Sequence, residues 1–252
     1  MTGTLIDNTQ RFSGRAEYYR NYRARYSPLA RRVLTNRLGL SADSVVADIG
    51  SGTGHSSLLV LPCAKLVYGV EPNENMRRAA ERDLSGCPNF RSVAAVAEAT
   101  TLPDRVADFV VAGSAFHWFD RQRSLQECKR ILKAGGHLVV LANHPRRDAS
   151  SFMQAYGEVF ERYGERRHRA NLRSTLTDIF GERGLSTAAI DNSERLSLAQ
   201  LAGRVLSYSS MPLAGHRQHE AMLAKLERVF HQYQTGGFVP FAAQTVVYWG
   251  KL

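Results

Sequence analysis

Glycines at positions 50, 52 and 54 stand between the apolar run Val45-Val46-Ala47-Asp48-Ile49 and His55. Residues without a Cβ admit left-handed turns and close approach of backbone to a ligand, so this spacing suits the binding of a flat or charged molecule. A dinucleotide turn of the form G-x-G-x-x-G would place its third glycine at His55, whereas here it falls at Gly54. The carboxylate of Asp48, just before the turn, also opposes a diphosphate and favours a ligand that is cationic or rich in donors. A second acid, Glu71, follows Leu66-Val67-Tyr68-Gly69-Val70 at the distance from Gly52 from which an acid accepts both hydroxyls of a ribose. Adenosine without a phosphate satisfies both acids. A third group is Ala115-Phe116-His117-Trp118-Phe119-Asp120. Phe116 and Trp118 can wall a pocket and tolerate a cation against their π faces. An unperturbed histidine titrates near about 6.5, so His117 can take a proton from an acceptor. The same residues are equally suited to packing.

The elements that must position these groups alternate between helix and strand. Val45 to Ile49 reads as a strand covered on both faces, followed by a helix from His55. A strand near Leu66 to Val70, a helix from Asn73 to Leu84 and a strand near Phe90 to Val96 come next. Ala107 to Ala112 reads as a fourth strand. A helix over Arg121 to Leu132, capped by Gly135-Gly136, leads to a fifth strand from His137 to Asn143. This alternation predicts a parallel sheet. Upstream, Ser27 is the expected N-cap of a helix from Pro28 to Leu38, with an apolar stripe of Leu29, Val33, Leu34 and Leu38. Downstream, helices are predicted over Ser150 to Tyr163 and Thr175 to Phe180, with a sixth strand over Leu185 to Ile190. A helical insertion from Leu198 to Tyr233, broken at Met211 to Gly215, precedes a last strand over Gln244 to Trp249.

A chain of 252 residues can bury one sizeable core, a single α/β domain with a modest helical cap. No run approaches the roughly 18 apolar residues of a membrane helix, and Met1-Thr2-Gly3-Thr4-Leu5 lacks the zones of a secretion signal, so a cytoplasmic protein without a membrane partner is expected. Cys63, Cys87 and Cys128 are odd in number and without C-x-x-C spacing, which indicates neither a disulfide framework nor a zinc site. Lys and Arg number 33 against 23 Asp and Glu, for a net charge of +10. Arg146-Arg147 and the stretch Arg166-Arg167-His168-Arg169 to Arg173 carry part of that excess. No aromatic-interleaved RNA-binding repeat or basic tail accompanies them, so nucleic acid is possible but not favoured as a partner.

Asp48-x-Gly50-x-Gly52-x-Gly54 and Gly69-Val70-Glu71-Pro72 together resemble motif I and the acidic loop of class I S-adenosylmethionine (SAM)-dependent methyltransferases. The resemblance extends over about residues 10 to 145, through Ala97-Glu98-Ala99-Thr100-Thr101-Leu102-Pro103-Asp104, the segment 115–120 and Leu132-Lys133-Ala134-Gly135-Gly136. The chain is similar to the methyltransferase type 11 group, with relatives in trans-aconitate and ubiquinone/menaquinone-pathway methylation. Ala134 stands where that group usually has proline.

The resemblance implies a Rossmann-like α/β fold, a seven-stranded sheet whose last strand is antiparallel, with helical cap and insertions. It implies one domain over 1–252, with a cap and first helix in 1–40 and a SAM-binding core in 41–145. Helical lid segments would occupy 146–184 and 198–241, and the last two strands 185–197 and 242–252. SAM is the implied donor and S-adenosylhomocysteine (SAH) the product, with no metal expected. Implied cofactor contacts are Asp48, Gly50, Ser51, Gly52, Thr53 and Gly54 in the first loop, and Glu71, Pro72 and Met76 in the second. Ala97 and Glu98 would lie at the adenine edge, with Ser114 and Phe116 after the fourth strand.

Phe12-Ser13-Gly14-Arg15 and the tyrosines that follow resemble an N-terminal cap that folds over the cofactor. Tyr19 and Tyr22 would shield its methionine end and Arg23 would pair with its carboxylate, Arg15, Arg20 and Arg25 being the neighbouring candidates. His117 and Trp118 would face a small-molecule acceptor, with His117 as candidate base. Two other readings remain open. An NAD(P) oxidoreductase shares the fold, but neither Tyr156 nor Tyr208 has the lysine four residues on that such chemistry often uses. An RNA-associated methyltransferase or a noncatalytic SAM-binding module is the second. The acceptor atom and the oligomeric state are not fixed by these residues.

Overall fold

The computed structural model describes residues 14–165 and 171–252. Phe12 and Ser13 of the N-terminal motif, the first residues Met1 to Leu5, and Arg166 to Arg169 of the basic cluster lie outside the described residues. The strands are β1 (Val45–Ile49), β2 (Leu66–Val70), β3 (Phe90–Val93), β4 (Ala107–Gly113), β5 (Leu132–Pro145), β6 (Ser186–Asp191), β7 (Glu194–Leu196), β8 (Val239–Phe241) and β9 (Ala243–Lys251). The helices are α1 (Ala16–Tyr22), α2 (Leu29–Leu38), α3 (His55–Val60), α4 (Glu74–Asp83), α5 (Arg121–Ile131), α6 (Ser151–Tyr163), α7 (Leu172–Phe180), α8 (Leu198–Leu206) and α9 (His219–Tyr233).

Seven strands form one sheet in the order β3-β2-β1-β4-β5-β9-β6. β1 to β5 pair in parallel, and β9 runs antiparallel to both of its neighbours. Successive residues on a strand point to opposite faces, and the two layers of core follow from that alternation. Val46, Val67, Val111, Val139 and Val247 pack with Ala30, Leu34 and Leu38 of α2 on one face. Ala47, Val70, Val110, Val140 and Val246 pack with Ile131 of α5 and Leu176 of α7 on the other. The order reverses direction between β1 and β4, so the carboxyl ends of these strands flank the crevice where open α/β sheets bind ligands.

Several local details differ from the sequence-based expectation. Ser27 does not cap α2 through its side chain, and Pro28 takes the cap position, while the Ser27 amide donates to the Thr245 hydroxyl at 2.9 Å. The buried stripe of α2 is Ala30, Leu34 and Leu38, because the helix turns Leu29 outward to 49 % exposure. β3 is shorter than expected and ends at Val93.

Gly135-Gly136 does not cap α5, because the helix ends directly at the extended Leu132, where β5 begins. The two glycines instead sit in a bulge where the register jumps from Ala107 opposite Leu132 to Phe109 opposite His137. A Cβ on Gly136 would lie 2.9 Å from the Asp108 carbonyl oxygen, which explains the glycine.

The insertion between β6 and β9 contains more than helix. β7 and β8 pair as a small antiparallel ribbon, and with α6, α8 and α9 they enclose a third apolar cluster around Met153, Tyr156, Leu201, Met222 and Phe241. The break between α8 and α9 runs from 207 to 218. α8 begins with a capping box in which Ser197 and Gln200 satisfy each other's orphan amides. Among the described residues no helix is long and apolar enough to cross a membrane.

Candidate active site

The loop after β1 is clipped to the tip of β2, since the amides of Gly50 and Ser51 both donate to the Val70 carbonyl, at 2.8 and 3.1 Å. Gly50, Gly52 and Gly54 all take positive φ, at 67°, 57° and 85°, but for different neighbours. A Cβ on Gly50 would lie 2.6 Å from the Ala115 Cβ, and one on Gly54 would lie 2.8 Å from Leu84 Cδ1. A Cβ on Gly52 would meet only Met76 Cε, at 3.4 Å. Gly54 therefore serves the packing of the loop on the end of α4, whereas Gly50 and Gly52 line a cavity at the carboxyl edge of the sheet.

Glu71 forms one wall of that cavity and is only 8 % exposed. Its Oε2 accepts the Gly52 amide at 2.9 Å and its Oε1 accepts the Asn73 amide at 2.8 Å. Burial pushes its carboxyl above the ordinary range, and the two amides pull against that. Each oxygen keeps a lone pair for a further donor. Asn73 in turn caps α4 by accepting the Met76 amide, which fixes Met76 against the cavity.

Pro72, Ala97 and Glu98 complete that side, with Tyr19 of α1 on another. Ser114, Trp118 and the unexpected Val96, Ala115 and Phe119 close the rest. Glu98 is positioned by accepting the Asp120 amide at 2.7 Å. The described lining thus contains two acids and no lysine, arginine or histidine, in a chain whose net charge is +10.

The other anticipated residues lie elsewhere. Asp48 is fully buried and does not line the cavity; its oxygens accept the Ser56 and Ser57 hydroxyls at 2.6 to 2.9 Å, so it anchors the start of α3. Burial raises its pKa to about 6 against the pull of those hydroxyls. Ser51 and Thr53 are buried behind the loop, the Thr53 hydroxyl without a hydrogen-bond partner among the described residues.

Ser114, at φ 54° beyond β4, is held by Tyr26, whose hydroxyl donates to the Ser114 hydroxyl at 3.0 Å. It joins the first cavity to a larger one of about 440 Å³. Phe116 and the exposed His117 line this second space, whereas Trp118 faces the first. The two rings at 117 and 118 stand 4.8 Å apart. The larger space also takes in Arg147, Tyr156 and Tyr208 from the two expected lid segments, together with Asn143 and His144 of β5, which the sequence did not single out. His144 Nε2 and Tyr156 Oη are buried and make no hydrogen bond of good geometry among the described residues, although the Tyr208 side chain lies close enough to Tyr156 to perturb it. Burial lowers the pKa of His144, keeping it neutral at pH 7, and raises that of Tyr156, keeping its proton. His144 stands one residue before the end of β5 at the carboxyl edge of the sheet, a placement that could have marked it, and Tyr156 lies on α6 within the first expected lid segment.

Of the N-terminal arginines, Arg15 is buried and donates to the carbonyls of Leu206, Tyr208 and Met211. Arg20 pairs with Asp83 at 2.6 Å. The Arg23 guanidinium lies 3.9 Å from the Tyr208 ring centre and 5.3 Å from that of Tyr19, with no carboxylate within ion-pair distance among the described residues. It borders the larger space and a third cavity behind α1, which Tyr22 also lines.

A sheet of this order, with an acid at the tip of β2 and a glycine loop after β1, defines the Rossmann-like methyltransferase architecture. Residues 47–140 match the methyltransferase domain family. An uncharacterized methyltransferase of Geobacillus sp. is 31% identical over 156 residues, 61% of this chain and 70% of the relative. A putative methyltransferase of Dictyostelium discoideum is 27% identical over 139 residues, and the match spans 55% of this chain and half of that protein's length. Among solved structures, a putative type II methyltransferase from Anaeromyxobacter dehalogenans superposes with a TM-score of 0.69 at 23% identity, covering 91% of this chain and 98% of that one. The chain belongs to the methyltransferase domain family, in class I.

Proposed function

We propose that this protein transfers a methyl group from SAM to a small-molecule acceptor, with the donor in the first cavity and the acceptor in the larger space beyond Ser114. The observation that carries the donor assignment is the sign of the first cavity. Two acids and no basic side chain among its described lining suit a sulfonium and a ribose diol, and oppose a diphosphate. Gly52 leaves open a cradle that a side chain would begin to fill. Glu71 is the ribose acceptor, Ala97 and Glu98 flank the base, and Tyr19 covers the methionine end. Arg23, a cation without an acidic partner among the described residues, borders the larger space beside the Tyr19 ring, from where it would reach the donor's carboxylate.

Bound SAM would supply a methyl group already activated for in-line displacement. The chain's own contribution is alignment, which reaches roughly 7–11 kcal/mol in favourable cases. Tyr156 offers a hydrogen-bond donor and the neutral His144 a second polar contact, neither making a hydrogen bond of good geometry among the described residues until an acceptor arrives. Trp118 and Phe116 exclude water from the transfer path, and His117 takes a proton where the acceptor carries one.

The test is incubation with methyl-labelled SAM and, in parallel, pooled small acceptors and total RNA. Label in the small-molecule fraction is expected. Label in RNA alone would overturn the acceptor class, and no transfer to either pool would favour a SAM-binding module.

A further inference from the structure

The third cavity, about 500 Å³ on the far side of α1, shares no lining residue with the acid-lined first one among the described residues and has the opposite electrostatic character. Among the described residues, five arginines face it. Two of these are already neutralised. Arg20 holds both oxygens of Asp83, and Arg204 pairs with Glu194 at 2.8 Å while also donating to the Tyr22 carbonyl. Arg23 leans on the Tyr19 and Tyr208 rings and also lines the larger space. Arg25 and Arg31 remain, and neither guanidinium has a hydrogen-bond or ion-pair partner among the described residues.

An internal probe reports the resulting field. His55 lines the same cavity, with its ring 5.6 Å from that of Tyr19. Its pKa falls to about 4, first through burial, then through the charge of Arg25, followed by Arg23, and against the pull of Asp83. Burial is the larger cause, and the arginine contribution agrees in sign with a concave lining of five arginines against Glu194 among the described residues, where concavity concentrates the positive field.

We propose that this cavity binds a small, multiply charged oxyanion, a diphosphate or phosphate ester, gripped by Arg25 and Arg31. Two guanidinium forks match the paired oxygens of such groups, and their planar geometry favours phosphate recognition. The site is independent of the methyl-transfer reading, since none of its gripping residues lines the first cavity.

The experiment uses the full chain and inorganic pyrophosphate at fixed ionic strength of about 0.1 M, where surface charge is screened beyond about 10 Å. Calorimetry is expected to give one site, weakened at least tenfold in the Arg25→Gln/Arg31→Gln double variant and unaltered in an Arg91→Gln/Arg228→Gln control. SAH affinity should stay within about twofold in the double variant, which certifies its fold. Nuclear magnetic resonance should show the His55 titration midpoint rising by at least about one pH unit when pyrophosphate is present. The proposal is overturned if pyrophosphate does not bind at millimolar concentration, if the control pair weakens it equally, or if the His55 midpoint does not move. A single-stranded oligonucleotide that displaces pyrophosphate, and whose binding both variant pairs weaken alike, would also overturn it in favour of diffuse surface charge.

Discussion

Replacing Glu71 by Gln preserves the side chain's shape and removes one acceptor oxygen. In the native protein each carboxylate oxygen is engaged by an amide, Oε2 with Gly52 at 2.9 Å and Oε1 with Asn73 at 2.8 Å, and each has one lone pair left for a ribose hydroxyl. In Gln one of these positions becomes an NH₂, which cannot accept from either amide or from a ligand hydroxyl. A hydrogen bond to a charged group contributes about 1.5–3 kcal/mol, so losing one predicts that SAH affinity falls by roughly 10- to 150-fold. Stability should change little, because the substitution also removes a buried charge whose pKa is raised by desolvation. Calorimetry with SAH, alongside thermal melts of both proteins, reads the two effects separately. Unchanged SAH affinity in a well-folded Glu71→Gln protein would refute the assignment of Glu71 as the ribose acceptor.

Other substitutions separate packing from binding. Gly50→Ala sets a Cβ against Ala115 in a left-handed backbone and should destabilise the protein by about 2–5 kcal/mol, read as a lower denaturant midpoint; a wild-type midpoint would show that the loop is free to shift. Tyr156→Phe removes a buried hydroxyl that makes no hydrogen bond of good geometry among the described residues. It should leave stability equal or higher by up to about 3 kcal/mol while raising the acceptor KM roughly threefold to tenfold; an unchanged KM would take Tyr156 out of the acceptor site. Asp48 supplies a pH test. Its pKa is raised from 3.8 to about 6 on folding, so the protonated form is favoured in the native state, and its contribution is greatest below about pH 3.8 and is lost as pH rises through 6. That interval corresponds to about 3 kcal/mol. The stability difference between wild type and Asp48→Asn should therefore shift toward the variant between pH 4 and about 7, and a pH-independent difference would contradict the buried, ionisable Asp48.

The strand, glycine turn and acid were legible because each is a local pattern. A β-branched run, three alternate glycines and Glu71 at a fixed remove all sit within one βαβ unit. The distinct tasks of the glycines were not legible, since Gly54 is set by Leu84 and Gly50 by Ala115, contacts made only when the chain has folded. Asp48 reads as ligand-facing from its position before the turn, yet Ser56 and Ser57, eight and nine residues on, claim its oxygens. The segment 115–120 was found as a unit, but its 3₁₀ turn from Phe116 to Trp118 sends successive rings to different cavities, which no period of strand or helix foretells. β7 and β8 escaped notice because three residues are too few to display alternation. Arg23 reads from the sequence as a candidate partner for the donor's carboxylate, whereas its contact with Tyr208 requires the insertion to fold back on α1.

A cradle lined by two acids and no basic side chain among the described residues, in a protein of net charge +10, suits a cationic adenosyl donor. Titrating the wild-type chain with SAM and with NADH tests it directly. Saturable one-to-one binding of SAM is expected, with NADH bound at least a hundredfold more weakly, about 2.8 kcal/mol apart. Tighter binding of NADH, or no binding of SAM by a folded protein, would contradict it.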